Sequence, residues 1–510
     1  ISKGYLMANK TNFLDATNYS DAQIPSDLTQ SLIDLRSIMS NSSDLMINTV
    51  TISGHDSAII CCEGMVSTSS STELIFHPLM NLKLPQYSKP DDVFEYIQKY
   101  GILTFDRATI ITYGQLIRFI MSGFVAILVN GVSGSIVLGV QGFDKRGVSE
   151  PTTEVNVLGA QDGFVETLRV NMSLIRRRMK TPLLKFDLFQ MGEKSKTDVC
   201  LVYMTDKAPE KLVNQIKNSL NKASLEIILS SGYVKPFLEG QTLSIFSGVS
   251  TTQRPDVLCA KVNEGRVALL IEGTPFALVV PSLFIENFQT VDDYSNRPFY
   301  GTYIRWLKYF AFFLATALPG VYVAIVNFHP EMFTHTLLLN LISSKLMTPY
   351  SLTVEALIIT ILYEIMREAG IRLPKVVGAA IGIVGGLVIG DAAVSSGLIS
   401  APLLIILGLT ASSSFVISGL NQQTSILRIA YILAGGLSGL YGIAIVTAFL
   451  IFNVCDMESF GVQYMAPLSP FTPRAMKDVL IRIGFKKLQN DKVKVTTLNG
   501  VTRYDDNTQK

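Results

Sequence analysis

The sequence predicts an α+β soluble head of two subdomains, followed by an α-helical multi-pass membrane domain. Apolar residues make up 48% of the 510 residues and charged residues only 16%, and the apolar residues concentrate towards the C-terminal end. A bilayer core takes a helix of about 20 apolar residues. Four stretches reach that length: 306–328, 376–396, 402–420 and 429–454. The roughly 300 residues before them have ordinary globular patterning.

The head is expected to fold as two α+β subdomains. In the first, an amphipathic pattern predicts a helix over 29–47, and a second helix is expected at 91–100, after Lys89 and Pro90. The strands predicted there, of which the last two form a hairpin, are 58–66, 125–129 and 135–141. In the second, Pro209 begins a helix at 210–222. Short apolar runs there predict strands at 198–204, 243–246, 266–271 and 276–280.

These patterns divide the chain into five parts. They are an N-terminal segment (1–43), subdomain 1 with a charged connecting segment (44–179), subdomain 2 (180–300), a transmembrane helical domain (301–455) and a cytosolic tail (456–510). No secretory signal pattern precedes the head. Basic residues favour the cytosolic side of a membrane, and the tail is rich in them. We therefore expect four spans with head and tail inside, or five if the apolar stretch 351–369 also crosses.

Composition and motifs argue against several classes of function. The net charge of +2 argues against a nucleic-acid partner. The five cysteines form neither a disulfide framework nor a zinc-type spacing, which favours a reducing compartment. His329 and His335 lie six positions apart, so they do not share a helical face as zinc-binding histidines do. With no phosphate-binding loop or nucleophile elbow, we expect no enzyme, no metal and no cofactor.

The segment 144–180 holds the densest charge cluster of the chain. If 163–179 is a helix, Phe164, Leu168, Met172 and Ile175 share one face, and the opposite face is charged. That charged face is either a solvated surface with ordinary ion pairs or a contact in which arginine forks bind carboxylates of a neighbouring subunit. The candidate subunit-interface residues are Arg146, Glu150, Glu154, Glu166, Arg176, Arg177 and Arg178.

The apolar stretch 376–396 is the candidate pore-lining or helix-packing element. Its glycines recur at every fourth position, which lets helix backbones approach closely in lipid. One face offers a narrow lining for ions, and the alternative is packing within one subunit. The residues concerned are Gly378, Gly382, Gly386, Val388, Gly390 and Asp391. A second small-residue face, which holds Gly435, Ser438, Gly439 and Gly442, is assigned to packing.

Two acids lie in the apolar stretch 351–369. Glu355 and Glu364 are nine positions apart, which puts them on opposite faces of a helix. We expect Glu364 to pair with a nearby basic residue: Arg367, Arg372 or Lys375. Glu355 is the candidate for an acidic ring that attracts cations at a channel mouth, and pairing is its alternative.

Three groups of motifs resemble those of a known family. In the charged segment they are Arg146, Glu150-Pro151, Glu154, Gly163-Phe164, Glu166, Asn171 and Arg176 to Arg178. Downstream they are Tyr363-Glu364, the run from Arg367 to Pro374, Ile383-Val384-Gly385-Gly386, Val388-Ile389-Gly390 and Pro470-Phe471. From about Asp44 to Phe485 the chain resembles the A subunit of the spore germinant receptors, the GerA family of spore germination proteins. It departs from the family pattern at Leu158 and Ala160, where arginine and proline are usual, and at Asp391, where we expect a neutral amide.

The resemblance implies a function. Germinant receptors are complexes of A, B and C subunits in the inner membrane of the dormant spore. The B subunit resembles amino-acid permeases and binds the nutrient, the C subunit is a lipoprotein, and the A subunit is thought to oligomerise into a nutrient-gated cation channel. The implied role is the pore-forming subunit, whose other partners are membrane lipid and cations. A transporter subunit and a non-conducting scaffold are the alternatives.

Overall fold

The computed structural model describes residues 14–81, 88–99, 106–142, 151, 154, 156, 158–240, 244–373, 390–471 and 475–484. Two five-stranded antiparallel sheets with helices on both faces come first, and a group of apolar helices follows. The predicted α+β head is thus confirmed, with a helical region after it.

The first sheet has the strand order β1-β2-β4-β5-β3. Its strands are β1 (Leu45–Ile52), β2 (His55–Cys62), β3 (Arg107–Ile110), β4 (Phe124–Val129) and β5 (Ser135–Gly139). Helices Leu28–Ile38 and Tyr113–Ile120 bury one face of the sheet, and helix Pro90–Lys99 buries the other together with the turns of Thr68–Met80. The predicted hairpin is confirmed, because β4 and β5 pair with Ala126 opposite Val137.

The helix predicted over 29–47 is shorter than expected. It ends at Ile38, and Ser40 and Asn41 follow with left-handed φ angles of 51° and 52°. Beyond this stop, residues 45–52 carry β-branched side chains at Ile47, Thr49, Val50, Thr51 and Ile52, which favour a strand. The helix is part of the first core. Residues that the sequence placed in a separate N-terminal segment therefore stabilise subdomain 1.

The second sheet has the strand order β6-β7-β9-β10-β8. Its strands are β6 (Leu184–Met191), β7 (Thr197–Met204), β8 (Ser250–Thr252), β9 (Val267–Ile271) and β10 (Ala277–Val280). Helices Leu168–Arg178 and Pro255–Asn263 bury one face, and Glu210–Asn221 and Ser231–Leu238 bury the other. Three predicted strands and the helix after Pro209 are confirmed. The strand expected at 243–246 is not, because 244–246 have no strand structure and 241–243 lie outside the described residues.

The helix in the charged segment runs over Leu168–Arg178. Its predicted apolar face is confirmed, since Leu168, Met172 and Ile175 are all buried. The sequence placed this helix at the end of subdomain 1, whereas its apolar face lies against the second sheet. Pattern alone shows that a helix has a face to bury, and tertiary packing decides which sheet receives it.

The C-terminal region is helical. Its helices are Pro298–Thr316, Leu318–Phe328, His335–Leu346, Leu352–Arg372, Ala401–Val416 and Asn421–Asp456, with a further helical turn from Gly390. By length and composition, one helical run of the described residues, Asn421–Asp456, is apolar and long enough to cross a membrane, and Gly439 interrupts it. A second candidate is the pair Pro298–Thr316 and Leu318–Phe328, which is bent by 53°. The multi-pass arrangement expected from sequence stays a prediction.

The long helix Asn421–Asp456, hereafter the hairpin, folds back on itself. Gly439 interrupts it with φ 61° and ψ −144°. The hydroxyl oxygens of Tyr431 and Thr447 are 3.0 Å apart, whereas a straight helix would separate these positions by about 24 Å. The sequence treated 429–454 as one continuous span, and the structure divides it because glycine adopts the left-handed conformation without strain from a side chain.

Candidate functional site

An ion cluster lies among the apolar helices and centres on Arg428 of the hairpin. Its guanidinium has no exposed surface. It donates hydrogen bonds to the Glu364 carboxylate at 3.1 Å, to the Ser414 hydroxyl at 2.7 Å and to the carbonyl oxygen of Ala315 at 3.0 Å. These partners come from three other helices. One arginine thus ties together four helices of this region.

Glu364 has a second basic partner. Arg367, one turn further along the same helix, lies 2.6 Å from the other carboxylate oxygen and also donates to the Ser425 hydroxyl at 2.9 Å. The ring of Tyr363 lies 5.3 Å from the guanidinium carbon of Arg428. The predicted pairing of Glu364 with a nearby basic residue agrees with this geometry. Arg428 is a partner that sequence reasoning missed, because the predicted span was taken to begin just after it.

Glu355 lies elsewhere in the same helix and is fully buried. The Thr348 hydroxyl donates to one carboxylate oxygen at 2.5 Å, and the backbone N–H of Ser400 donates to the other at 3.2 Å. Among the described residues, no lysine or arginine forms an ion pair with it. In the single chain Glu355 is therefore enclosed between three segments, and its role in an acidic ring stays a prediction.

The glycine stripe falls mostly outside the described residues. Gly378, Gly382, Gly386 and Val388 lie there, so their proposed lining or packing role stays a prediction. Gly390 is described and buried, and a methyl group added to it would lie 3.3 Å from a methyl carbon of Leu404. Asp391 is exposed. This end of the stripe packs against helix Ala401–Val416 within one chain.

The second small-residue face makes very close contacts. A methyl group on Gly435 would overlap the carbonyl oxygen of Gly320, and one on Gly320 would overlap the carbonyl oxygen of Tyr431. The backbones of the hairpin and of helix Leu318–Phe328 therefore touch, as small residues permit in membrane helix pairs. The arrangement agrees with the packing role assigned to this face.

In the head, Arg176 lies inside the chain. Its guanidinium donates to both carboxylate oxygens of Asp44, at 2.8 and 3.1 Å, and to the carbonyl oxygens of Thr181 and Leu184. It also lies 4.8 Å from the centre of the Phe186 ring. Both charged side chains are almost fully buried. This member of the arginine run joins the two subdomains of one chain.

The other charged candidates divide into partly buried and exposed groups. Arg178 pairs with Asp162. Burial acts to raise the pKa of Asp162, but the hydrogen bond and charge of Arg178 outweigh it and hold that pKa below its usual value. Glu154 accepts a hydrogen bond from the Thr252 hydroxyl at 2.7 Å, and its burial raises its pKa.

Arg177 and Glu166 are exposed, whereas Arg146 and Glu150 lie outside the described residues. The subunit-contact prediction therefore stays a prediction, with Arg177 and Glu166 as its accessible members.

Within the described ranges, no three His, Cys, Asp or Glu side chains come close enough to hold a metal ion. His329 approaches Glu331 at 3.5 Å, and both are on the surface.

Comparisons with known proteins agree with the motifs. The family model described as Bacillus/Clostridium GerA spore germination protein matches residues 34–493. Spore germination protein KA of Bacillus subtilis (strain 168) is 34% identical over 466 residues, which cover 90% of this chain and 85% of that protein. An uncharacterized membrane protein of the same strain, YfkQ, is 33% identical over 465 residues, or 91% of this chain and 90% of YfkQ.

Among solved structures, one match is the crystal structure of the N-terminal domain of the A subunit of the Bacillus megaterium spore germinant receptor GerK3. The match covers 52% of this chain and 98% of that chain, with 26% sequence identity and a TM-score of 0.41.

Proposed function

We propose, from the premise that this chain belongs to the GerA family of spore germination proteins, that it is the A subunit of a nutrient germinant receptor. In this proposal several copies assemble in the spore inner membrane into a cation channel, and nutrient binding opens it. Release of cations from the spore core then triggers germination.

The observation that supports conduction is the ion cluster around Arg428. Charged side chains are costly among lipid-facing helices and are kept where they hold or form an ion pathway. Here Glu364 and Arg428 are enclosed by helices and satisfied by polar partners. We assign them to holding the helices beside the pathway. We assign the lining to the glycine stripe, with Glu355 as the acid that attracts cations.

The proposed partners follow from the family. A permease-like B subunit binds the nutrient and a lipoprotein C subunit completes the complex. Self-association uses the exposed part of the charged segment, with Arg177 and Glu166 facing carboxylates and arginines of a neighbouring copy.

Head and tail are proposed to face the spore core from a multi-pass membrane domain. Their mutual contacts support a common side: the Tyr294 hydroxyl donates to the Asp478 carboxylate at 2.6 Å. The hairpin also returns to the head, where the Ser244 hydroxyl donates to the side-chain oxygen of Asn453 at 2.6 Å.

Nutrient-triggered cation release from spores that carry Gly386→Leu tests the conduction path. Lost or constitutive release at normal receptor abundance would support the glycine stripe as the lining. Gly408→Leu is the matched control, because Gly408 is exposed and an added methyl group there meets no atom within 4 Å. Normal release from both variants would reject the stripe and move the search to the helix that bears Glu355.

A transporter subunit is the second candidate, favoured by the interruption of the hairpin at Gly439. The dependence of ion flux on the ion gradient distinguishes a channel from a transporter. Non-saturating flux supports a channel, saturating flux supports a transporter, and no flux at all supports a scaffold that conducts nothing.

A further inference from the structure

Helix Pro298–Thr316, hereafter the aromatic helix, has two unlike faces. One face is exposed and consists of Phe299, Tyr300, Tyr303, Trp306, Phe310 and Phe313, with exposed fractions from 49% to 89%. We call it the aromatic face. The opposite face is buried and includes the charged side chains of Arg305 and Lys308. The two faces follow from helical spacing, since residues three and four apart lie on one side.

The buried face contacts polar groups of the head and the tail. Lys308 donates to the Thr290 hydroxyl at 2.8 Å and to the Asp293 carboxylate at 3.1 Å. Arg305 donates to the Asp478 carboxylate at 3.0 Å. Polar groups of the head and the tail thus lie beside at least the first ten residues of this helix.

An irregular stretch of the tail runs beside the same helix. The indole N–H of Trp306 donates to the carbonyl oxygen of Leu480 at 2.9 Å, and the Tyr309 hydroxyl donates to that of Val479 at 3.2 Å. Leu480 and Ile481 of this stretch are exposed, and irregular backbone exposed to lipid is not found inside the hydrocarbon core, where its polar groups would lack partners. The helix up to Tyr309 therefore lies outside that core. If the helix were perpendicular to the membrane plane, Phe299 and Tyr303 would lie still further out, in water.

We infer that the aromatic helix lies along the membrane surface, with its aromatic face in the lipid headgroup layer. Tyrosine and tryptophan favour this layer because their rings are apolar and their tips are polar. The 53° bend before helix Leu318–Phe328 allows the chain to change from a surface path to a crossing path. Phe328 at the end of that helix and exposed apolar side chains of the hairpin, among them Leu437 and Tyr441, continue the lipid-facing surface. The occupant of the aromatic face is thus lipid rather than a second copy of the chain.

This inference rests on the membrane location in the proposed function and not on conduction. It differs from the span expected at 306–328 in a measurable way. Positions 299 and 313 are about 21 Å apart along the helix. In a perpendicular helix they differ in depth by nearly that distance, whereas in a surface helix they share one depth.

The single tryptophan of the chain makes depth measurable. The full chain is reconstituted in phosphatidylcholine nanodiscs that carry a fluorescence quencher either near the headgroup or near the chain ends. The native protein reports on Trp306. Two variants move the probe along the face: Trp306→Phe with Phe299→Trp, and Trp306→Phe with Phe313→Trp.

The expected result is the same shallow depth at all three positions, with quenching by the headgroup label about twofold stronger than by the chain-end label. A depth that increases from position 299 to 313 would overturn the inference and support a perpendicular span. The deep control is Trp306→Phe with Phe449→Trp, since Phe449 is exposed on the second half of the hairpin.

Protection from both labels on the aromatic face, with normal quenching in the deep control, would show that another protein surface covers this face. This result would overturn the inference of a surface helix and leave the membrane location unaffected. Loss of lipid quenching in the deep control as well would overturn the membrane location and the inference with it.

Discussion

Arg176 and Asp44 form a two-pronged ion pair between the subdomains of the head, with N–O distances of 2.8 and 3.1 Å. Asp44 lies just before strand β1, and Arg176 lies in the helix that covers the second sheet. Neighbouring backbone contacts tie the same segments together, since Ser43 donates to the carbonyl oxygen of Phe186 at 2.9 Å. The pair therefore couples folding of the two sheets.

Arg176→Ala should destabilise the head strongly. It leaves the Asp44 carboxylate buried without its cation, which costs about 3–5 kcal/mol of unfolding free energy. Chemical unfolding of the purified full chain in detergent measures the loss. Arg118→Ala, at an exposed arginine of subdomain 1, is the control and should change the unfolding free energy little. Equal stability of the two variants would contradict the structural role of Arg176.

Glu364→Gln should destabilise the C-terminal helices. The substitution leaves the buried guanidinium of Arg428 without a counter-charge, and the expected loss is again about 3–5 kcal/mol. Glu368→Gln is the matched control, because the Glu368–Arg372 pair lies on the surface of the same helix. Unfolding measurements in detergent compare the unfolding free energies of the two variants. An unfolding free energy unchanged by Glu364→Gln would show that the cluster contributes little.

Gly435→Ala should loosen the contact between the hairpin and helix Leu318–Phe328. The added methyl group overlaps the Gly320 carbonyl oxygen, and such overpacking costs about 1–3 kcal/mol. Gly408→Ala is the control, since a methyl group there meets no atom within 4 Å. Thermal unfolding in detergent is the measurement, and equal midpoints for the two variants would reject the close approach.

The ion pairs of Glu286 predict that the head loses stability in acid. It pairs with Lys261 at 2.6 Å and accepts a hydrogen bond from Arg266 at 2.7 Å. Burial acts to raise the pKa of this carboxyl, but the charges of Arg266 and Lys261 outweigh it and lower the pKa from 4.5 to about 2.

Because the folded pKa lies below the unfolded one, the stabilisation by Glu286 is complete above pH 4.5 and is lost as the pH falls towards 2. The expected loss is on the order of 3 kcal/mol. Unfolding free energies of the full chain between these pH values test it. Glu286→Gln should flatten the dependence, whereas Glu226→Gln, at a surface ion pair, should retain it. A wild-type curve with no slope in this window would refute the prediction.

Arg177→Glu should weaken self-association about tenfold or more, because it places like charges together at the proposed subunit contact. Crosslinking of the full chain in native membranes measures the oligomer fraction. Lys222→Glu, an exposed charge reversal on subdomain 2, is the control. Normal oligomers from the Arg177 variant would remove the charged segment from the interface.

Local patterns account for much of the fold. The β4–β5 hairpin, the helix after Pro209 and the buried face of Leu168, Met172 and Ile175 were all predictable, because each depends on the spacing of neighbouring side chains. The family was predictable as well, since its motifs are long runs of residues, and the family comparison confirms the assignment.

Contacts between distant residues were not predictable. Arg176 and Asp44 are 132 positions apart, and Arg428 and Glu364 are 64 apart. An arginine in the sequence gives no sign of whether it faces water, another subunit or a carboxylate of its own chain. Tertiary packing decides this, because it alone determines which buried charge must be neutralised.

The sequence by itself determined that this protein has an α+β head, apolar helices after it and the motifs of one family. Composition and periodicity are properties of short stretches of the chain and can be read from each stretch separately. Only the tertiary structure decided that the chain turns back at Gly439, that Arg176 joins two subdomains and that the aromatic helix faces two environments. These features arise where segments far apart in sequence compete to bury the same surfaces, and no single segment contains that information.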